Sequence, residues 1–157
     1  MNHHRGWPLI VAILTLAACN PAPPEPEVTF DCETFDAAAQ IEGIRPWPED
    51  RPGPEDLADS RVALDDWLTP EQRQHFRCSD RDVLLANIHF GLAWWLRDNW
   101  RFDPETPLGR NMKALGLRHP DDISNLIATH YVYASRGEAF EVDAEVQRYV
   151  DYWNGGE

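Results

Sequence analysis

Residues 83–99 have the sequence VLLANIHFGLAWWLRDN, and this stretch decides the fold that the chain predicts. Wound as a helix at about 100° per residue, it places apolar side chains on two separate faces. A helix that is apolar on nearly all sides belongs in the centre of a domain. We therefore expect one long central helix, opened by a capping box over residues 79–82. The broad face carries Leu84, Leu85, Ile88, Leu92, Trp95 and Leu96, and the second face carries Val83, Phe90 and Trp94.

A narrow strip of Ala86, His89, Ala93 and Arg97 separates these two faces. Its two alanines leave room for another group to approach the helix closely. One interpretation is that a neighbouring helix packs on the alanines, while His89 and Arg97 bond to carbonyls or carboxylates at the edge. The other interpretation is the floor of a small cleft, in which Arg97 would hold an anionic group of a ligand.

Helix start and stop signals recur on both sides of this stretch. The starts combine a capping residue with a proline or an acidic first turn, and the ends carry glycine or asparagine. No run of alternating apolar and polar residues is long enough to predict a strand. We therefore predict the all-α fold class, as a small compact domain of about five helices over residues 54–154. The predicted starts include Pro54, Thr69, Thr106 and His119, and the predicted ends include Gly116, Gly137 and Asn154.

The N-terminus has the pattern of a signal that directs a protein to a membrane. Residues 7–18 form a short apolar run that leads into Leu16-Ala17-Ala18-Cys19, a sequence typical of a lipoprotein signal peptide. Residues 1–18 would be removed, and Cys19 would carry the acyl chains that hold the protein in the membrane. Asn20 favours the outer over the inner membrane, with the domain facing the periplasm of the bacterial envelope. The alternative is an ordinary secretory signal with an incidental cysteine.

Residues 19–53 predict a tether between the lipid and the domain. Four prolines within residues 20–28 favour an extended, semi-rigid spacer of about 3 Å per residue. Residues 35–41 have the composition of a short helix. Four further prolines within residues 46–54 exclude regular structure there.

The charge and composition exclude several classes of protein. The full chain has a formal net charge of −13, and residues 1–18 contribute only Arg5 to it. This surplus of carboxylates disfavours binding to nucleic acid or to anionic lipid surfaces, and it favours solubility or a cationic partner. With 43% hydrophobic residues and seven tryptophans, the chain has enough apolar surface for a folded core.

Two cysteines remain once Cys19 carries lipid. Because the periplasm is oxidising, we predict a disulfide between Cys32 and Cys78. This bond would attach the proline-rich N-terminal segment to the turn before residues 83–99. The alternative is two unpaired thiols.

Three motifs have a recognisable combination of residues. They are His89-Phe90-Gly91-Leu92, the run from Trp95 to Trp100, and the run from Gly116 to Ser124. They resemble an uncharacterised bacterial domain family, unknown-function family number 6794. Gln147 to Trp153 is similar to the closing segment of that family, so the resemblance covers about Leu57 to Trp153. It implies a small helical domain, often on exported proteins, with no known activity and no catalytic residues. The chain departs from the family pattern at Ala93, Asp98, Arg101 and Phe102.

His119, Asp121 and Asp122 are residue types that bind metals. Their spacing also suits a helix start, because Pro120 fits the first helical position and carboxylates are favoured in the first turn. Ser124 lies nearby, but closeness in sequence does not make a catalytic triad. We therefore expect neither a metal nor a cofactor, and we expect Arg97 to pair with Asp121 or Asp122. The predicted binding or structural polar cluster comprises His89, Arg97, Asn99, His119, Asp121 and Asp122.

The tryptophans offer a second candidate surface. Trp47, Trp94, Trp95 and Trp100 together would form a stacking platform for sugars such as cell-wall glycans. Most of them lie on the apolar faces described above, so we expect them in the core. Trp47, between two prolines, is the one most expected on the surface.

The sequence contains no catalytic motif of defined spacing, whether for zinc hydrolysis, phosphate binding or a nucleophilic serine. We therefore expect a non-enzymatic, lipid-anchored envelope protein whose domain contacts a protein partner, and no binding to nucleic acid. One alternative is a small-ligand or cell-wall-glycan binding module that uses the strip of His89 and Arg97. Another is a hydrolase built around His119.

Overall fold

The computed structural model describes residues 31–35 and 43–155. Within these residues the regular structure consists of seven helices and includes no strand, so the predicted all-α class is confirmed. The helices are α1 Leu57–Trp67, α2 Pro70–Cys78, α3 Arg81–Asn87, α4 Leu92–Asn99, α5 Pro107–Ala114, α6 Pro120–Ser135 and α7 Val142–Trp153.

Local capping groups set several helix boundaries where the sequence predicts them. The Thr69 hydroxyl accepts a hydrogen bond from the backbone N–H of Gln72, and the Gln72 side chain accepts one from the N–H of Thr69. The Thr106 hydroxyl likewise accepts from the third residue of α5. Gly116 and Gly137 have φ angles of +102° and +69°, which turn the chain away from α5 and α6.

The first helix begins later than the proline predicts. Its N-cap is Asp56, whose carboxylate accepts a hydrogen bond from the backbone N–H of Asp59 at 2.8 Å. This bond satisfies one of the N–H groups that a first turn leaves without a helical acceptor. Pro54 therefore precedes α1 instead of opening it.

The prediction of one long helix over residues 79–99 is wrong. α3 ends at Asn87, α4 begins at Leu92, and residues 88–91 form a turn between them. The N–H of Gly91 donates to the carbonyl oxygens of Asn87 and Ile88 in this turn. Glycine is about 1 kcal/mol less favourable than alanine inside a helix, which makes an interruption at this position less costly. The N-cap of α3 is Asp80, one residue after the predicted Ser79.

The centre of the domain is α6 rather than residues 83–99. α6 is 16 residues long and packs against α1, α2, α3, α4 and α7. Its side chains Leu126, Tyr131 and Val132 are completely buried. Of the two predicted faces, the broad one reaches the core through α4, whereas Phe90 and Trp94 on the second face are 81% and 56% exposed. The apolar side chains of the predicted second face therefore remain open to solvent, on α3, on the turn and on α4.

Trp47 is buried, in contrast to its expected place on the surface. Its ring lies 5.1 Å from that of Trp67 and 5.5 Å from that of Trp100, measured between ring centroids. Its indole N–H donates to the carbonyl oxygen of Arg51 at 3.1 Å. The proline-flanked chain thus folds back on the helices, and the packed domain includes residues before the predicted boundary at 54. Trp47, Trp95 and Trp100 are core residues and provide no sugar platform.

The predicted disulfide between Cys32 and Cys78 is present, with the two Cα atoms 5.2 Å apart. It attaches residues 31–35 to the end of α2. The Gln74 side chain supports this attachment by donating to the carbonyl oxygen of Asp31 at 2.9 Å. Phe35 adds an edge-on ring contact with His75, at 6.1 Å between centroids.

Thiol labelling tests this bond in the protein isolated from its own compartment. Denatured protein without reductant should react with no maleimide at positions 32 and 78, and after reduction it should react at both. Peptide mapping assigns each label to its cysteine. Two labelled cysteines before reduction would contradict the bond.

The predicted signal peptide over residues 1–18, the lipidation site Cys19 and the spacer up to residue 30 lie outside the described residues. The predicted short helix over 35–41 also does, apart from Phe35. Among the described residues, every helix is too short or too polar to cross a bilayer.

Candidate functional site

Arg97 is the polar centre of the junction between α4 and α6. Its side chain is only 17% exposed, and its Nε lies 3.1 Å from a carboxylate oxygen of Asp121. One terminal nitrogen donates to the hydroxyl of Ser124 at 2.9 Å, and the other donates to the carbonyl oxygen of His89 at 3.1 Å. The guanidinium thus uses its planar fork on three acceptors. The predicted pairing of Arg97 with Asp121 is confirmed.

These three contacts connect the three sequence motifs. Arg97 belongs to the run from Trp95 to Trp100, His89 lies in the turn before α4, and Asp121 and Ser124 lie in the first turns of α6. The Ser124 hydroxyl extends the hydrogen-bond network by donating to the carbonyl oxygen of Asp121 at 3.0 Å. The motifs therefore meet around one half-buried cation, and this contact accounts for their combination by packing.

The alternative interpretation, a cleft over the strip of Ala86, His89, Ala93 and Arg97, does not describe the structure. The turn at residues 88–91 places Ala86 on α3, where it is exposed, and Ala93 on α4, where it is completely buried. α6 packs against α4 and accepts the hydrogen bonds of Arg97. His89 lies at the edge of this junction, with its Nδ1 3.4 Å from the side-chain nitrogen of Asn125.

Asn99 serves the N-terminal segment instead of the junction around Arg97. Its side-chain oxygen accepts a hydrogen bond from the backbone N–H of Trp47 at 2.7 Å. Its side-chain nitrogen donates to the carbonyl oxygen of Trp95 at 2.9 Å. The predicted polar cluster is therefore divided, and Asn99 fixes the loop that covers the tryptophan core.

His119 is the N-cap of α6, as the capping interpretation predicts. Its Nδ1 accepts a hydrogen bond from the backbone N–H of Asp121 at 3.3 Å. Its ring stacks on Trp153 at the end of α7, with centroids 5.2 Å apart and an angle of 26° between the planes. Asp122, which is 8% exposed, accepts a hydrogen bond from the indole N–H of Trp153 at 2.6 Å. The N-terminus of α6 and the C-terminus of α7 are thus joined at one place.

A cavity of about 400 Å³ adjoins this contact. Asp122 and Trp153 line it on one side, and Leu117, Tyr149 and Val150 form apolar walls. The contact between α6 and α7 escapes sequence reasoning, because nothing in the local sequence near Trp153 indicates which carboxylate its indole meets.

A second cavity of about 400 Å³ forms a groove along α3 and α4, which we call the apolar groove. Phe90 and Trp94 border it, and none of its lining residues is Asp, Glu, Lys or Arg. His75 lines it as well, and burial holds the pKa of that imidazole below its usual value. The groove is therefore uncharged at neutral pH. Its other lining residues include Ile44, Phe76, Leu84, Ile88, Leu92 and Trp95.

Neither a metal-binding cluster nor a triad around Ser124 is formed in the parts of the chain that the structure describes. No group of three or more His, Cys, Asp or Glu side chains within residues 31–35 and 43–155 is arranged to hold a metal ion. The Ser124 hydroxyl contacts Arg97 and a backbone carbonyl rather than a histidine. In a hydrolytic triad the nucleophile must bond to its base, and this serine does not.

The fold and these contacts define a small all-α domain with a half-buried arginine at the junction of α4 and α6, and with an open apolar groove. The family model for a domain of unknown function, DUF6794, matches residues 53–134, which is more than half of the chain. The protein belongs to this family. The match includes all three motifs, while Gln147 to Trp153 lies beyond its end. Neither the curated proteins nor the solved structures include a significant match to the chain.

Proposed function

We propose that this protein is a lipid-anchored component of the bacterial envelope, and that its helical domain acts without catalysis by binding a protein partner in the apolar groove. The observation that carries the proposal is the exposure of Phe90 and Trp94 beside an uncharged cavity. Large aromatic side chains at the rim of a concave apolar surface are characteristic of interaction sites.

The chemistry of the groove specifies the kind of partner. An uncharged apolar lining suits the apolar face of an amphipathic helix, whose side chains would enter between Phe90 and Trp94. The formal net charge of −13 favours basic residues on the polar flanks of that helix, because opposite charges speed encounter. The same charge disfavours an anionic bilayer surface as the occupant.

Site-specific photo-cross-linking in living cells tests the groove. A photoreactive residue at Asn87, which lines the groove, should give a discrete protein adduct. The matched control is the same residue at Tyr152, which is 73% exposed on α7. Substituting Phe90→Ser and Trp94→Ser together should remove the adduct from position 87, since truncating a central aromatic residue costs about 2 kcal/mol of binding or more, roughly 30-fold in affinity.

Both aromatic side chains are exposed, so the double variant should keep the thermal midpoint of the unchanged protein. The groove proposal fails if position 87 gives no protein adduct, or if it gives the same adducts as position 152. An adduct to lipid alone would assign the groove to the membrane surface and would equally overturn the proposal.

Lipidation at Cys19 is tested separately, on wild type and Cys19→Ala. The wild-type protein should sediment with membranes, and its intact mass should carry acyl chains on a chain that begins at residue 19. The variant should lack both properties, because serine, alanine and other residues cannot form the thioether. Equal solubility of the two proteins, with no acyl mass on either, would show that the leader is an ordinary secretory signal.

A further inference from the structure

We propose that the cavity between the start of α6 and the end of α7 binds a primary ammonium group carried on a short alkyl chain, of the kind that ends a lysine side chain. This inference does not depend on the apolar groove or on its partner. It rests on the burial and hydrogen bonding of the Asp122 carboxylate and on the groups that surround it.

Asp122 is a buried acid, and no Lys, Arg or His of residues 31–35 and 43–155 forms an ion pair with it. One of its oxygens accepts the indole N–H of Trp153, and this is its one side-chain hydrogen bond within the described residues. The nearby guanidinium of Arg97 is used by Asp121, at 3.1 Å. A buried carboxylate is stabilised by a paired cation and by further hydrogen bonds, and its two oxygens offer about four acceptor positions. Asp122 therefore retains capacity for a donor that also carries positive charge.

The walls of the cavity complement an alkylammonium ion. The Trp153 ring, 58% exposed, stacks on His119 beside the carboxylate of Asp122. Tyr149 lines the same space as an apolar wall, since the guanidinium of Arg148 already lies 4.6 Å from its ring centroid. Aromatic ring faces attract cations, most strongly those of tryptophan. Leu117 and Val150 supply apolar surface for a chain of a few methylene groups. A volume of about 400 Å³ accommodates such a group.

Arg118 also lines the cavity, so the occupant could in principle be an anion instead of a cation. Its side chain is exposed where it lines the cavity, and it makes no ion pair with Asp122. An anion attracted by Arg118 would have to lie beside the buried carboxylate, which would repel it. A cation instead meets the carboxylate inside and Arg118 outside, so Arg118 should weaken its binding without preventing it.

Nuclear magnetic resonance of the full chain in a non-ionic detergent provides a direct reporter. The indole N–H of Trp153 is bonded to Asp122, and its signal is assigned by its loss in Trp153→Phe. Butylammonium, butyrate and butanol are matched probes that differ only in charge and head group. Butylammonium should shift the Trp153 signal in a saturable manner, whereas butyrate and butanol should shift it little.

Two variants supply independent readings. Asp122→Asn keeps the size and a hydrogen-bond acceptor but removes the charge, and it should weaken butylammonium binding about tenfold. Arg118→Gln should strengthen it. Should Asp122→Asn fail to fold, the comparison of the three probes on the unchanged protein still decides the question. Equal responses to all three probes, a preference for butyrate, or no saturable shift with any probe would each overturn the proposal.

Discussion

Gly109→Ala should destabilise the domain by at least about 3 kcal/mol, which for a domain of this size corresponds to a fall of roughly 12 °C or more in the melting temperature. Gly109 lies in the first turn of α5, and a Cβ atom built on it would overlap the carbonyl oxygen of Asp103. The same atom would lie 2.7 Å from the carbonyl oxygen of Phe102. Backbone atoms have no alternative rotamer, so the chain itself must shift.

The carbonyl oxygen of Asp103 is held where it is. It accepts hydrogen bonds from the backbone N–H of Thr106 at 2.9 Å and from the Thr106 hydroxyl at 2.8 Å. Moving α5 instead would displace Leu108 and Met112, which are buried in the core. Either response breaks contacts that the cap and the core depend on.

Whether Gly109→Ala raises or lowers the stability distinguishes the effect of helix propensity from that of close packing. Helix propensity alone predicts that alanine stabilises α5 by about 1 kcal/mol relative to glycine. The close approach of two chain segments predicts a loss. Gly53→Ala is the matched control, because nothing lies within 4 Å of its Cβ position, and it should melt like the unchanged protein. A gain in stability for Gly109→Ala would show that the loop at residues 102–103 yields freely.

Sequence reasoning succeeds where the deciding interaction is local. The caps at Thr69 and Thr106 bond to residues three positions ahead, and His119 caps α6 through a neighbouring N–H. Such contacts span a few residues, so the residue types at fixed spacing predict them. The disulfide between Cys32 and Cys78 follows from elimination, since the predicted lipid signal assigns the third cysteine, Cys19, to lipidation.

Sequence reasoning fails where contacts between residues distant in the chain determine which of two apolar faces is buried. Residues 83–99 have two apolar faces, and only packing against α6 determines that Leu92 and Leu96 are buried while Phe90 is exposed. A helical wheel also assumes that the helix is continuous, and the turn at residues 88–91 rotates everything after it relative to α3. The predicted strip of Ala86, His89, Ala93 and Arg97 therefore does not form one continuous surface.

The candidate site shows the same division. The pairing of Arg97 with Asp121 could be predicted from the motifs that carry them. The partners of Asp122 and Asn99 could not, because Trp153 and Trp47 lie 31 and 52 residues away in sequence. The fold of the proline-rich segment onto the tryptophan core was missed for a related reason. Prolines indicate where regular structure stops, and they do not indicate whether the chain then packs.

Arg97→Ala should destabilise the domain by about 3 kcal/mol, because the substitution leaves the junction of α4 and α6 without its donor. The carbonyl oxygen of His89 and the buried hydroxyl of Ser124 both lose a charge-assisted hydrogen bond. The aliphatic stem of the side chain, which is largely buried, also loses its packing. Arg97→Lys should recover only part of the loss, since an ammonium group cannot reproduce the planar fork.

The ion pair between Arg97 and Asp121 accounts for the smaller part of the stability that Arg97→Ala should remove. Asp121 is 42% exposed, so water solvates its carboxylate once the arginine is gone, and Asp121→Asn should cost about 1 kcal/mol or less. Arg148→Ala is the matched control for removal of an arginine. Its side chain is 64% exposed and pairs with Glu145 one turn away, so its loss should be within about 0.5 kcal/mol. The losses of stability for His119→Ala and Asp122→Ala should lie between those of Arg148→Ala and Arg97→Ala, because each variant retains part of the contact between α6 and α7.

Thermal and chemical unfolding of these variants decides whether Arg97 belongs to the scaffold or to a site. A clear loss for Arg97→Ala, with Arg148→Ala unchanged, assigns the three motifs to the packing of the family fold. The contrary result is an Arg97→Ala protein that melts like wild type yet loses its cross-linked partner or a small ligand. Arg97 would then act on something outside the domain, and the surface around His89 would replace the apolar groove as the binding site, because a guanidinium that does not stabilise its own fold is free to bind an external group.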